Sequence, residues 1–376
     1  MRITRIAASL ALAVLAAACA ELTQQTPAPV RGHNPEATPK FAVDPYWPKP
    51  LPENWMLGQV AGIAVDKNDH IWIVHRPKSL VDDEKGAQLN PPTTKCCKAA
   101  PPVMEFDRQG NLLRSWGGTG TDQYPWPKNE HGIMVDADGN VWIGAQDDND
   151  NYLLKFTPDG KWLMTVGTPG KTGGSNDPNL LGKPAHMIVD EAAGELYIAD
   201  GYKNRRVLVA DAKTGAYKRH WGAYGNKPND DKQAPYDPKA PAPQQFSNPV
   251  HCVRLSNDNL LYVCDRANDR IQVFQKDGKF VKEFSVEPQT RQNGSAWDLV
   301  LSEDPQQRWM FVADGANGEV HTLRRSDGAV VGTIGRPGRM AGEFRWIHNI
   351  AIDSAGNLYT AEVGNGRRAQ KFNRTQ

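Results

Sequence analysis

A chain of 376 residues can form two ordinary domains or one large all-β domain, so internal repeats decide its organisation. Its 44 Lys plus Arg against 43 Asp plus Glu leave a formal net charge of +1, which excludes the strong positive field of a nucleic-acid binder or of a protein held on an anionic membrane. A small or chemically mixed partner suits this balance.

The N-terminus carries Arg2 and Arg5, an apolar run from Ile6 to Ala18 and small residues before Cys19. Residues 1–20 thus have the layout of a bacterial export signal, too short to span a bilayer. Leu15-Ala16-Ala17-Ala18-Cys19 resembles a lipobox with Cys19 as the lipidated residue, although Ala16 stands where a large residue is usual. Lipidation and simple cleavage near Ala18 or Ala20 both export the chain, to the periplasm or to a lipid-anchored position on a membrane. Residues 21–40, rich in Pro, Thr and Gln, read as a flexible tether without a core of its own.

From there a unit recurs six times: an alternating apolar strand, a polar turn and a second β-rich strand. The copies are GIAVDKNDHIWIVHR (62–76), HGIMVDADGNVWIGAQ (131–146), HMIVDEAAGELYIADGY (186–202), NPVHCVRLSNDNLLYVCDRANDRIQVF (248–274), DLVLSEDPQQRWMFVADG (298–315) and HNIAIDSAGNLYTAEV (348–363). Most continue into a third strand and an Asp-Gly type hairpin, as in LLKFTPDGKWLMTVG. Four strands repeated six times predict an all-β, six-bladed β-propeller over 41–376. The last copy ends one strand short, and Lys40 to Asp44 can supply the missing outer strand, closing the ring and removing an exposed sheet edge.

The cysteines after Cys19 form two pairs. Cys96 and Cys97 adjoin in a Pro-rich loop, where they can form a vicinal disulfide or bind a soft metal. Cys252 and Cys264 lie equidistant from Asp258, so they face one another across a hairpin, either bridged, as export permits, or as two small buried thiols.

Each turn opens on an anchor residue: Asp66, Asp136, Asp190, Ser256, Ser302 and Asp353. Innermost propeller strands run the same way about the axis, so equivalent positions become neighbours. Five residues before the anchors stand Ala61, His131, Ala185, His251, Trp297 and His348. Histidine in alternate blades places three imidazoles around the axis. Three His with one position open are the ligand set of a catalytic zinc site; the bland reading is polar rim residues in a repeated turn. The second strand of each blade returns to the same face, ending in Arg76, in Asp200-Gly201-Tyr202 and in Asp265-Arg266. A guanidinium suits bidentate grip on a carboxylate, and a Tyr beside a metal can ionise to act as a base. His70, His75, His186, His220 and His321 fall off the repeated position and read as surface or packing residues.

These segments resemble NHL-repeat propellers and, among them, the peptidyl-α-hydroxyglycine α-amidating lyases, in order over residues 58–372, with DGYxNxR and DRxNxRIQ as the more specific matches. The resemblance implies that His131, His251 and His348 bind zinc, that Tyr202 is the catalytic base, and that Arg76 and Arg266 hold a substrate carrying a carboxylate. It also implies a structural calcium held by the main-chain oxygens of Ile63 and Ile133 and by an Asp; this chain carries the neutral Asn349 at that third position. The implied reaction is cleavage of a carbinolamide N–C bond to an amide and glyoxylate, on a small-molecule or peptide substrate. The competing class is a non-catalytic propeller that displays loops to a partner, since the same fold hosts both.

Overall fold

The computed structural model describes residues 37–376; the expected export signal, Cys19 and most of the tether lie outside the described residues. Six four-stranded antiparallel sheets form the six blades of a β-propeller. Their innermost strands are Gln59–Val65, Glu130–Val135, Pro184–Asp190, Val250–Leu255, Asp298–Leu301 and Ile347–Ile352. The last blade takes its outer strand from the other end of the chain: Phe41–Asp44 pairs antiparallel with Arg368–Arg374, Phe41 opposite Arg374 and Asp44 opposite Lys371. The expected closure is therefore observed.

Each anchor closes its hairpin by hydrogen bonding. Asp66 Oδ1 accepts the amides of Asn68 and His70 at 2.8 and 3.0 Å, while Oδ2 accepts Trp72 Nε1 at 3.1 Å. Asp136 repeats this with the Asn140 amide and Trp142 Nε1, and Asp353 with the Asn357 amide and the Tyr359 hydroxyl. The side chain stands in for a backbone partner in the turn and ties down an aromatic of the returning strand.

Apolar side chains on the two faces of each sheet pack against the neighbouring blades. Trp72, Val74 and Val103 of blade one meet Ile133, Ile143 and Phe156 of blade two, and a corresponding core fills every interface around the ring. At the closing interface Ile63, Ile73 and Phe106 of blade one pack with Tyr359, Ala361 and Ala369 of blade six. No blade buries its faces alone, so stability is shared around the circle.

Cys252 and Cys264 are register partners across their hairpin and are bridged, with Cα atoms 4.8 Å apart. Cys96 and Cys97 are joined as a vicinal pair, in a long excursion between Arg76 and Val103 that is pinned by a short parallel pairing of Trp55–Met56 with Lys98–Ala99.

A chain starting at Pro45 should melt at least about 5 °C below one starting at residue 37, because the strand Arg368–Arg374 would keep an unpaired edge. Equal midpoints in thermal unfolding would contradict closure by Phe41–Asp44.

Candidate metal centre and substrate cavity

The three repeated histidines converge on the axis. His131, His251 and His348 are buried, and one ligand nitrogen from each lies within 4.8 Å of the others. Every Nδ1 faces a main-chain carbonyl of the next blade. His131 donates to Ala185 O at 2.7 Å, His251 to Trp297 O at 2.5 Å and His348 to Ala61 O at 2.6 Å. Those acceptors occupy, in the odd blades, the position that histidine holds in the even ones. A carbonyl can only accept, so each Nδ1 carries the proton and each Nε2 presents a lone pair.

Burial is the main cause that keeps these rings neutral. Burial, then His348 and Arg76, hold His131 well below the usual imidazole range; burial, His348 and Arg266 do so for His251. Burial and Arg76 push His348 down to about 3.

Three lone pairs therefore point together with few donors to meet them. The Nε2 atoms of His251 and His348 are 3.2 Å apart, and the Tyr202 hydroxyl, with one proton, lies 3.0 Å from both His131 Nε2 and His251 Nε2. Buried acceptors facing one another are unfavourable unless a donor or a cation sits between them. The 3.2 Å between His251 Nε2 and His348 Nε2 agrees with the edge of a tetrahedron about 3.3 Å long, as expected for metal–nitrogen bonds of about 2.0 to 2.1 Å. The residues present fit a divalent metal.

A turn lock places Tyr202. Asp200 accepts the Gly182 amide, Asn204 Nδ2 and Arg206 Nε at 2.7, 2.7 and 2.9 Å. Gly201 lies so close to the Val250 backbone that any side chain would collide with it, which lets the chain pass and delivers Tyr202 to the axis. The same lock recurs one blade on, where Asp265 accepts the Ser247 amide, Asn268 Nδ2 and Arg270 Nε at 2.9, 2.8 and 2.8 Å. It delivers Arg266, whose Nη1 donates to the Tyr202 hydroxyl at 3.2 Å and whose guanidinium lies 4.3 Å from the Trp297 ring centroid.

Arg76 reaches the same place from blade one, donating to Glu130 O at 2.7 Å and Gln59 Oε1 at 2.8 Å. Arg76, Arg266, Tyr202 and His348 line one cavity of about 280 Å³, with Trp297 and Trp346 as apolar walls. Buried guanidiniums elsewhere are paired, Arg206 with Asp200 and Arg270 with Asp265, as is the half-buried Arg368 with Glu362. Among the described residues Arg76 and Arg266 have no carboxylate partner, and Arg266 Nε has no acceptor at all. Two guanidiniums without a direct ion pair, with the Glu130 carboxylate acting on Arg76 only from farther off, stand beside the histidines with geometry suited to an anion.

Every site residue expected from the repeat is thus near the axis. The carbonyl partners Ala61, Ala185 and Trp297 and the Trp346 wall escape the sequence reading. Ala61, Ala185 and Trp297 share the histidine position, but a main-chain acceptor leaves no side-chain signature. A second acidic and histidine group, Asp66, His70 and Glu105, is occupied by turn capping and by Arg114. A larger cavity of about 570 Å³ between blades four and five lies off the axis, and its Arg308, Arg324 and Arg325 are paired with Asp304, Asp327 and Asp258.

No protein-family model matches the chain. It is similar to the peptidyl-glycine alpha-amidating monooxygenase of Mus musculus, 28% identical over 235 residues covering 60% of this chain and 22% of that protein; the aligned region is therefore about a fifth of that relative's length. The peptidyl-alpha-hydroxyglycine alpha-amidating lyase 1 of Drosophila melanogaster is 28% identical over 345 residues, covering 87% of this chain and 58% of that one. NHL repeat-containing protein 3 of Mus musculus is 25% identical over 356 residues, covering 89% and 84%. In fold the chain matches a streptogramin B lyase structure with a TM-score of 0.50 at 12% identity, covering 89% of this chain and 98% of that one. The chain is a six-bladed β-propeller, similar in sequence to an NHL repeat-containing protein and to α-amidating lyases, with a histidine triad able to hold a metal ion.

Proposed function

We propose that the protein is a zinc-dependent carbon–nitrogen lyase that cleaves an α-hydroxyglycine-type compound into an amide and glyoxylate. One observation carries this reading: three lone pairs converge beside a tyrosine hydroxyl, within reach of two guanidiniums that lack a carboxylate partner. The similarity to the Drosophila lyase supports it.

His131, His251 and His348 would hold the ion, their Nδ1 bonds to backbone fixing ring orientation. When bound, zinc supplies Lewis acidity that lowers the pKa of the substrate's α-hydroxyl. Arg76 and Arg266 grip the carboxylate, so its charge stays away from the ligand set and the scissile N–C bond is oriented. Tyr202, as phenolate, takes the hydroxyl proton while the N–C bond breaks and the C–O bond becomes a carbonyl. The electron pair leaves on the amide nitrogen, and the same proton returns to it, so charge and protons balance. Trp297 and Trp346 offer apolar surface to the acyl portion. Export of the chain, with Cys19 lipidated or the signal simply cleaved, remains part of this proposal.

Purified protein should contain one zinc per chain by elemental analysis, and His131→Ala, His251→Ala and His348→Ala should each lose most of it while keeping the β-sheet circular dichroism. Full zinc retention in all three would refute the ligand set.

Tyr202→Phe should keep zinc yet lose at least about a hundredfold in turnover, measured as glyoxylate release from an α-hydroxyglycine model compound. Arg76→Ala and Arg266→Ala should mainly raise KM. Zinc-loaded wild-type protein that releases no glyoxylate would remove this substrate class and favour a non-catalytic propeller.

A further inference from the structure

One residue layer below the histidines, four positions before each anchor, the chain reads Gly62, Gly132, His186, Cys252, Asp298 and Asn349. The resemblance calls for a calcium here, with an Asp where Asn349 stands. The side-chain donors present do not fit that ion. Asn349 turns its Oδ1 toward His348 Nδ1 at 3.0 Å and donates Nδ2 to Asp298 Oδ2 at 3.1 Å. Asp298, fully buried, supplies a carboxylate in this layer, and both of its oxygens are taken. Oδ1 accepts Arg254 Nε at 3.1 Å and the Leu299 amide at 2.8 Å; Oδ2 accepts Arg254 Nη2 at 2.6 Å and the Ile350 amide at 3.1 Å. Calcium needs six to eight oxygen ligands, usually with carboxylates among them. Here the carboxylate is saturated by donors.

Arg254 comes from blade four, Asp298 from blade five, and Arg254 Nη2 goes on to Ile350 O of blade six at 3.0 Å. A guanidinium thus spans three blades, gripping a carboxylate by two bonds and a main-chain carbonyl by a third. We propose that Arg254 is a built-in cation of the channel, which takes the charge-balancing role of a divalent ion and positions His348 through Asp298 and Asn349. The covalent cation makes the ring independent of calcium. Only the link to His348 rests on the zinc reading; the channel role does not.

The geometry explains the choice of residues. A buried carboxylate without a partner is strongly unfavourable, and a planar guanidinium meets it side-on while retaining a donor for the carbonyl. Lysine would offer a point charge without the two-bond grip. His186, whose Nδ1 lies 3.1 Å from Val253 O, fills the third-blade position of the same layer as a neutral ring.

The test compares wild type, Arg254→Lys, Arg254→Met and Asn349→Asp, each purified without added calcium, by thermal unfolding with and without millimolar calcium chloride and by metal content. Wild type should hold less than about 0.1 calcium per chain and shift by less than about 1 °C with calcium. Arg254→Met should melt at least about 5 °C lower and regain part of that on calcium addition, because Asp298 is released. Arg254→Lys should fall between the two, and serves if Arg254→Met does not fold. Asn349→Asp, with Arg254 intact, should remain unresponsive to calcium. Stoichiometric calcium in wild type, or an Arg254→Lys protein as stable as wild type, would overturn the proposal. Zinc loss confined to the Arg254 variants would support the link to His348, with unchanged zinc contradicting it; zinc absent from every protein, wild type included, would instead count against the metal reading and leave the channel result to stand by its calcium response.

Discussion

The bond from each axial histidine Nδ1 to a carbonyl of the next blade is the constraint on which the site depends. It decides the tautomer, so all three Nε2 atoms face inward as acceptors, and it ties blade two to three, four to five and six to one. Alternation follows from it. A histidine in every blade would crowd the axis, and three leave the odd blades free to supply the acceptors. The result is a buried, neutral, convergent set of lone pairs, an arrangement suited to a cation.

Around that set, charge is distributed in two layers. At the mouth, Arg76 and Arg266 are held by neutral partners and left without carboxylates. In the layer below, Arg254 is paired with Asp298. Buried guanidiniums are stable when neutralised, so the unpaired two are where the proposed substrate's carboxylate would be received, and the paired one marks structure. The Asp200 and Asp265 turn locks explain how Tyr202 and Arg266 can project into this field without support from their own strands.

The propeller was legible because its signals are local and repeated: an alternating strand, an Asp or Ser at the turn and a second β-rich strand. Repetition also made the histidine positions legible, since a closed ring turns equal register into proximity. What stayed hidden depends on contacts without side-chain signatures, such as the carbonyls of Ala61, Ala185 and Trp297, or on pairs distant in sequence. Arg254 stood in VHCVRL as a charge in an apolar inner strand, and Asp298 shared a register position with Asn349. Neither residue announces its partner until the blades are assembled. For the cysteines, register placed Cys252 opposite Cys264, while the choice between bridge and thiols required the hairpin itself.

The central claim is that three imidazole nitrogens share one zinc at the propeller axis. X-ray absorption at the zinc edge of the purified protein tests it most directly. The account predicts a four-coordinate shell of nitrogen and oxygen at about 2.0 to 2.1 Å, with imidazole scattering from three rings. A shell with sulfur at about 2.3 Å, which would put the metal at Cys96 and Cys97, or an absence of zinc from active protein, would contradict it.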